Sequence, residues 1–444
     1  MSSGMNGTTS RGVFKSIAKA QAADLRDGVV VWISGGRSYD IKSTTVNADF
    51  VLSNGNGAFI RVSETIAASS EIEWDFEVVF NDGVELRSGY GTRNIHGNKS
   101  VDFSRASTTY STNKSGVIES LAVDVPSIVK GGLEAYESAI NRAVWSEDFT
   151  SGSWAKNAAT VSGNSAISPD GSLNADVITF TNVGGYVRQF FTGAGDTNVS
   201  VWIRSNTVTE IGLNAGGTSG VVQYTIGAKW SRIDLHTDVA SGTNFSIIAQ
   251  AAFGDVELWG AQITDSVILL PYKKTEASAE SKSPDIATFP MMGNMPSAGN
   301  SFSIETDCNM GLGDAFSSPF HSVAIPSGAP TLSISKNSNG TSGFVYGQIT
   351  TTDGDFFTPP NTYQAENKGV RFTLVYDSGL LSLSADGVNV GSVGTTGVPV
   401  YDVNSVIAIG RGNTKYINAP IKAVRIKQSA LTVDQIAARG GYNA

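Results

Sequence analysis

Two tryptophans sit where their neighbours could make a binding surface. In residues 198–204 (NVSVWIR), strand alternation puts Val199, Val201 and Ile203 on one face and Ser200, Trp202 and Arg204 on the other. A ring beside a cation suits sugar recognition, because the apolar face of a pyranose stacks on the ring while its hydroxyls need fixed donors and acceptors. Trp202 and Arg204 are therefore candidate glycan-binding residues; the alternative is that Trp202 is covered by a loop or by another subunit. Trp154, in residues 151–156 (SGSWAK), is the third candidate. Trp230 and Trp259 lie within strand-like runs and read as packing residues.

Other chemistry finds little purchase. Asp353-Gly354-Asp355 and the turn around Asp170 offer oxygen ligands, but neither has the spacing of a calcium loop, and both fit ordinary turn chemistry. A single Cys308 and three scattered histidines leave few zinc ligands, so no metal and no cofactor is expected. Glu71, Glu73, Asp75 and Glu77 alternate along one strand and read as a solvated face rather than as the facing carboxylates of a glycosidase. No GxSxG, P-loop or GxGxxG occurs, and no catalytic residue is assigned.

The elements that must position these residues are strands. Charged residues make up 16 % of the 444-residue chain and glycine occurs 49 times, which favours β-structure with tight turns over helical bundles. A formal net charge of −9 opposes nucleic-acid binding. No run of about 18 apolar residues predicts membrane insertion, and the polar opening MSSGMNGTTSRG predicts a chain made in the cytoplasm.

The predicted fold is mainly β: a small N-terminal α+β unit, then two antiparallel β-sandwiches of jelly-roll or lectin-like type. Residues 1–70 form the first unit, with a helix at 16–25 and strands at 29–33 and within 49–62. Residues 71–141 read as a hairpin around Asn81-Asp82-Gly83 followed by a connector, with 107–115 running extended over a neighbouring surface. A sandwich is expected over 142–275, a linker over 276–300 and a second sandwich over 301–444. In the last, Asp386-Gly387 predicts a hairpin, and Thr432 with Gln435 a capping box opening a short helix.

Several stretches taken together resemble known proteins. Residues 102–108 (DFSRAST), 116–126 (GVIESLAVDVP), 141–156 (NRAVWSEDFTSGSWAK), 168–176, 198–204, 230–235 (WSRIDL) and 256–263 (VELWGAQI) resemble, in this order, a carbohydrate-binding-like sandwich of bacteriophage virion proteins. Residues 302–307 (FSIETD), 369–391, 406–411 and 421–438 are similar to concanavalin A-like (laminin G-type) sandwiches of phage tail proteins. Residues 12–62 resemble the virion-anchoring piece of tail spikes and fibres. The resemblance implies a non-enzymatic tail fibre or spike: a homotrimer on the virion, docked on other virion proteins by its N-terminal unit and on host surface glycan by its sandwiches. Two alternatives are a capsid fibre or tail adaptor making only protein contacts, and a glycan depolymerase with an intersubunit site.

Overall fold

The structure, a computed structural model, describes residues 11–14, 30–33, 37–42, 50–51, 57–60, 72–80, 84–89, 92–93, 99–113, 116–129, 131–193, 195–216, 220–309, 317–323, 332–339, 342–360, 369–400, 406–411 and 416–441. The chain divides into two compact units, Met1–Ile72 and Glu73–Ala444. In the first, five strands run in the order Arg11–Phe14, Val30–Ile33, Arg37–Lys42, Gly57–Ile60 and Phe50–Val51. The outermost pair, Arg11–Phe14 with Val30–Ile33, is parallel and needs a crossover. The helix expected at 16–25 falls in that connection and lies outside the described residues. The expected strand pair within 49–62 is present as Phe50–Val51 against Gly57–Ile60.

The second unit holds two antiparallel sandwiches, as alternating apolar residues between turn signals predict. One packs two five-stranded sheets face to face. Its centre is the strand Gly195–Arg204, hydrogen-bonded between Ser231–Val239 and Asp255–Thr264. Val199, Val201 and Ile203 point inward as expected and meet Ile211, Leu213, Phe245 and Ile247 of the opposite sheet, all fully buried.

The other sandwich is larger and takes strands from unexpected places. Its nine-stranded sheet contains Phe76–Val79, Glu85–Ser88 and Gly132–Ala135, and its seven-stranded sheet contains Asp102–Ser104 and Ile286–Pro290. Strands from 71–141, read above as a hairpin and connector, and from 276–300, read as a linker, are thus structural parts of the C-terminal sandwich. Phe76 from one and Phe289 from the other stack with centroids 4.0 Å apart at its core, a contact worth about 0.5–1.5 kcal/mol beyond area burial. The smaller sandwich is an insertion: the chain leaves along Ala139–Asn141 and returns along Glu280–Lys282, and these two strands pair with each other.

Turn chemistry behaves as the sequence indicates. Asp386 and Gly387 both take left-handed φ, 49° and 84°, between the paired strands Leu380–Ala385 and Val388–Gly394. The capping box forms at Thr432 and Gln435 and starts the helix Val433–Arg439, which Gly440 ends. Arg439 of that helix forks onto Glu305, while Arg371 forks onto Asp307 and Arg425 bridges both carboxylates. Burial works to raise the Asp307 carboxyl, but Arg371 and Arg425 outweigh it and hold it below its ordinary range. Glu77, expected on a solvated face, accepts from Arg425 at 2.7 Å; Glu73 and Asp75 are exposed as expected.

At the root of the insertion Asp285 lies between two cations. Arg105 Nη1 donates to it at 3.1 Å and Lys282 Nζ at 3.0 Å, with all three side chains at most 2 % exposed. Replacing Asp285 by Asn leaves two buried cations without a counter-charge. The expected loss is about 3–5 kcal/mol of unfolding free energy, read from urea denaturation; a loss below about 1 kcal/mol contradicts this account.

Candidate functional site

The outward face of Gly195–Arg204 is where sugar stacking was expected, and the structure covers it. The paired strands Thr109–Thr112 and Ile118–Leu121 lie across it together with residues 269–272, and Tyr110 N donates to Tyr272 O at 3.2 Å. Trp202 is consequently 7 % exposed, packed edge-on against Trp259 and Tyr272 at 5.2 and 5.3 Å. Gly260 makes room for it: at φ 66° a Cβ there would stand 2.8 Å from Trp202 Cε3.

The three residues proposed for sugar contact are not brought together. Trp154 is 1 % exposed, wedged between Phe149 and Phe245 in the core of the inserted sandwich, with Nε1 donating to the Trp145 carbonyl. Its loop-like surroundings fold inward because that indole fills the end of the core. Arg204 remains half-exposed, but it pairs with Glu257 at 2.6 Å and lies over Trp230, not Trp202. Trp259 is a packing residue as expected; Trp230 is half-buried, with Nε1 bonded to Ile167 O. As stacking platforms, Trp202 and Trp154 are thereby corrected to packing residues. Asp170 spends its carboxylate on the Ser172 amide in its own turn. Among the described residues no three His, Cys, Asp or Glu side chains converge as a metal site, and no helix is long and apolar enough to cross a membrane.

Beside Trp202 the two sandwiches leave an open cleft of about 290 Å³. Tyr110 and Ile118 come from the covering strand pair, Glu134 and Tyr136 from the C-terminal sandwich, and Trp202, Arg232 and Tyr272 from the inserted one. The rings rest on one another: Tyr110 lies 5.1 Å from Tyr272 and 5.6 Å from Trp259, in a small core with Ile118 and Ala175. Tyr110, Glu134, Tyr136 and Arg232 are half-buried, so the cleft presents both aromatic and polar edges.

Its electrostatics are set by two groups. Glu134 accepts from Ser127 Oγ, from Ser111 Oγ at 3.2 Å and from Tyr136 O–H at 3.3 Å. Burial nonetheless raises its carboxyl above the usual range, the three hydrogen bonds only partly opposing this, and burial also raises the Tyr136 phenol. Across the cleft Arg232 lies over the Trp202 ring at 4.3 Å and donates to Leu270 O and Ser200 Oγ. Burial pulls its guanidinium down to about 10, which leaves it charged at neutral pH.

The sequence pointed at this face through Trp202 but missed the residues that line it. Tyr110, Glu134 and Tyr136 fall in the stretch read as a connector. One signal was available: a lone tyrosine within an extended run of small polar residues expected to lie on a neighbour.

No family of known sequences matches the chain, and no curated protein matches it. Solved structures do, at low similarity. Domain 4 of AbnA, a GH43 extracellular arabinanase from Geobacillus stearothermophilus in complex with arabinotriose, aligns at 12 % identity and TM-score 0.28, covering 39 % of this chain and 82 % of that one. The CBM40 of the Ruminococcus gnavus IT-sialidase, bound to α2,3-sialyllactose, aligns at 13 % identity and TM-score 0.26, covering 32 % and 83 %. The CBM22 tandem of Paenibacillus barcinonensis Xyn10C aligns at 9 % identity and TM-score 0.23, covering 67 % and 99 %. At these scores the likeness carries no functional argument.

Two tests follow from the geometry. A carboxyl whose folded pKa is raised contributes stability that is complete below its unfolded pKa and is lost as pH rises through the folded one. Glu134→Gln cannot ionise, so its melting temperature relative to the native chain is expected to rise between pH 4.5 and pH 8; a difference independent of pH refutes the burial argument. Trp154→Ala is expected to cost about 3–5 kcal/mol of stability as a core truncation, whereas a surface platform would give a normally stable variant in the same urea titration.

Proposed function

We propose that this chain is a non-enzymatic glycan-binding protein of a phage tail fibre or spike, attached to the virion by its N-terminal unit and contacting host surface glycan through the cleft between its sandwiches. The observation that carries the reading is the cleft itself: open, backed by a rigid aromatic cluster and edged by tyrosines, a carboxyl and a guanidinium. Ring faces suit the apolar side of a pyranose, and the polar groups suit its hydroxyls. The place on a virion rests on the resemblance of the quoted sequence stretches. Binding is favoured over cleavage because the lining contains one carboxylate, Glu134, where glycoside hydrolysis commonly uses two.

A single cleft of this size holds one or two sugar units weakly, so several copies acting together supply the attachment strength. We include a homotrimer in the proposal for that reason. The test is a bacterial surface-glycan array probed with the full chain. Tyr136→Ala and Tyr110→Ala are expected to reduce retention at least tenfold while remaining folded by circular dichroism; unchanged retention in both removes the cleft from the proposal. Light scattering is expected to give three times 46.5 kDa, and a monomer at micromolar concentration refutes the trimer.

A further inference from the structure

We infer that the ligand of the cleft carries a carboxylate, and that an acidic glycan seats this group on Arg232; the inference rests on the glycan reading above and names its substrate class. Arg232 is a cation in a protein wall with no ion-pair partner among the described residues. A guanidinium has five N–H donors. One goes to Leu270 O at 2.9 Å and one to Ser200 Oγ at 3.0 Å, while Nε is buried without any partner. A buried donor left unpaired is costly, more so on a charged group, so its persistence in the wall of an open cleft needs a reason.

Neither neighbouring carboxylate forms an ion pair with Arg232, although Asp234 is near enough to favour its charged form. Asp234, two residues along the strand, accepts from Asn198 Nδ2 at 2.9 Å. Glu134 is engaged by Ser111, Ser127 and Tyr136. The guanidinium carbon also lies over Trp202, 4.3 Å from the ring centroid, and its bonds to Leu270 O and Ser200 Oγ hold it there. A planar, preset fork without a counter-ion matches a planar carboxylate, whose two oxygens can take parallel N–H bonds. A neutral sugar could accept a hydrogen bond there but would leave the charge uncompensated. A uronic or sialic-type acid supplies both the acceptors and the charge.

The experiment uses polygalacturonate and hyaluronan, together with every glycan retained on the array, each beside a counterpart whose carboxylates have been reduced to alcohols. Binding to the full chain is read by biolayer interferometry. Acid forms are expected to bind at least tenfold more tightly than reduced forms, and Arg232→Gln is expected to erase the difference. Arg232→Lys keeps the charge but loses the fork, and is expected to weaken the acid form about five- to tenfold; it serves also if the Gln variant does not fold. Equal binding of acid and reduced forms, or a retained set that is wholly neutral, overturns the acid assignment and leaves glycan binding standing. An unchanged acid affinity in both Arg232 variants overturns the role of Arg232. Retention of no glycan at all overturns both readings together.

Discussion

The second unit depends on one buried carboxylate. An insertion between two strands requires the chain to leave and re-enter a sandwich at one place, and both crossings must be held without water. Asp285 does this by accepting from Arg105 and Lys282 and from the Tyr136 amide. Arg105 extends the grip by donating to the carbonyls of Ser107, Ala122 and Val125, and Lys282 by donating to those of Glu137 and Ser283. Segments far apart in sequence are thereby fixed around one charge. Two cations on one anion would be costly in a dry interior, but the surrounding carbonyl dipoles share the positive charge.

That root also sets the geometry of the cleft. Tyr136 is pinned through its backbone to Asp285, and Glu134 lies two residues earlier in the strand Gly132–Ala135 of the nine-stranded sheet. The opposite wall belongs to the inserted sandwich, where Trp202 and Trp259 pair directly across neighbouring strands. The strand pair Thr109–Thr112 and Ile118–Leu121 closes over both, covering an aromatic surface that would otherwise be open to water. Groups so fixed lose little freedom when a ligand arrives, which favours affinity in a small site.

What could be read from sequence divides along the range of the interactions. The Asp386-Gly387 turn, the Thr432 capping box and the inward row of Val199, Val201 and Ile203 were legible because each depends on residues within a few positions of one another. The connector and linker were not. Ile286–Pro290 and Asp102–Ser104 are three to five residues long, too short for periodicity to show, and their partners lie far away in sequence. Strand parity correctly turned Trp202 outward from the main core, yet parity says nothing about a second layer laid over that face. Trp154 was misread for the converse reason: small polar neighbours suggested a surface loop, while the ring itself reaches 1 % exposure.

The treatment of buried charge elsewhere in the unit bears on the cleft. In the C-terminal sandwich Glu305 and Asp307 are enclosed and matched by Arg371, Arg425 and Arg439, each within hydrogen-bonding distance of a carboxylate. At the insertion root the single acid is matched by two bases. Both clusters answer desolvation with direct pairing. Arg232 is treated differently: it lies over the Trp202 ring, is short of a partner for Nε, and stands in the wall of an open cleft. Asp234 and Glu134 beside it accept from other donors and form no ion pair with it. The two paired clusters keep their charges balanced within the chain, whereas Arg232 faces a cavity, and that difference is the observation behind the proposed acidic ligand.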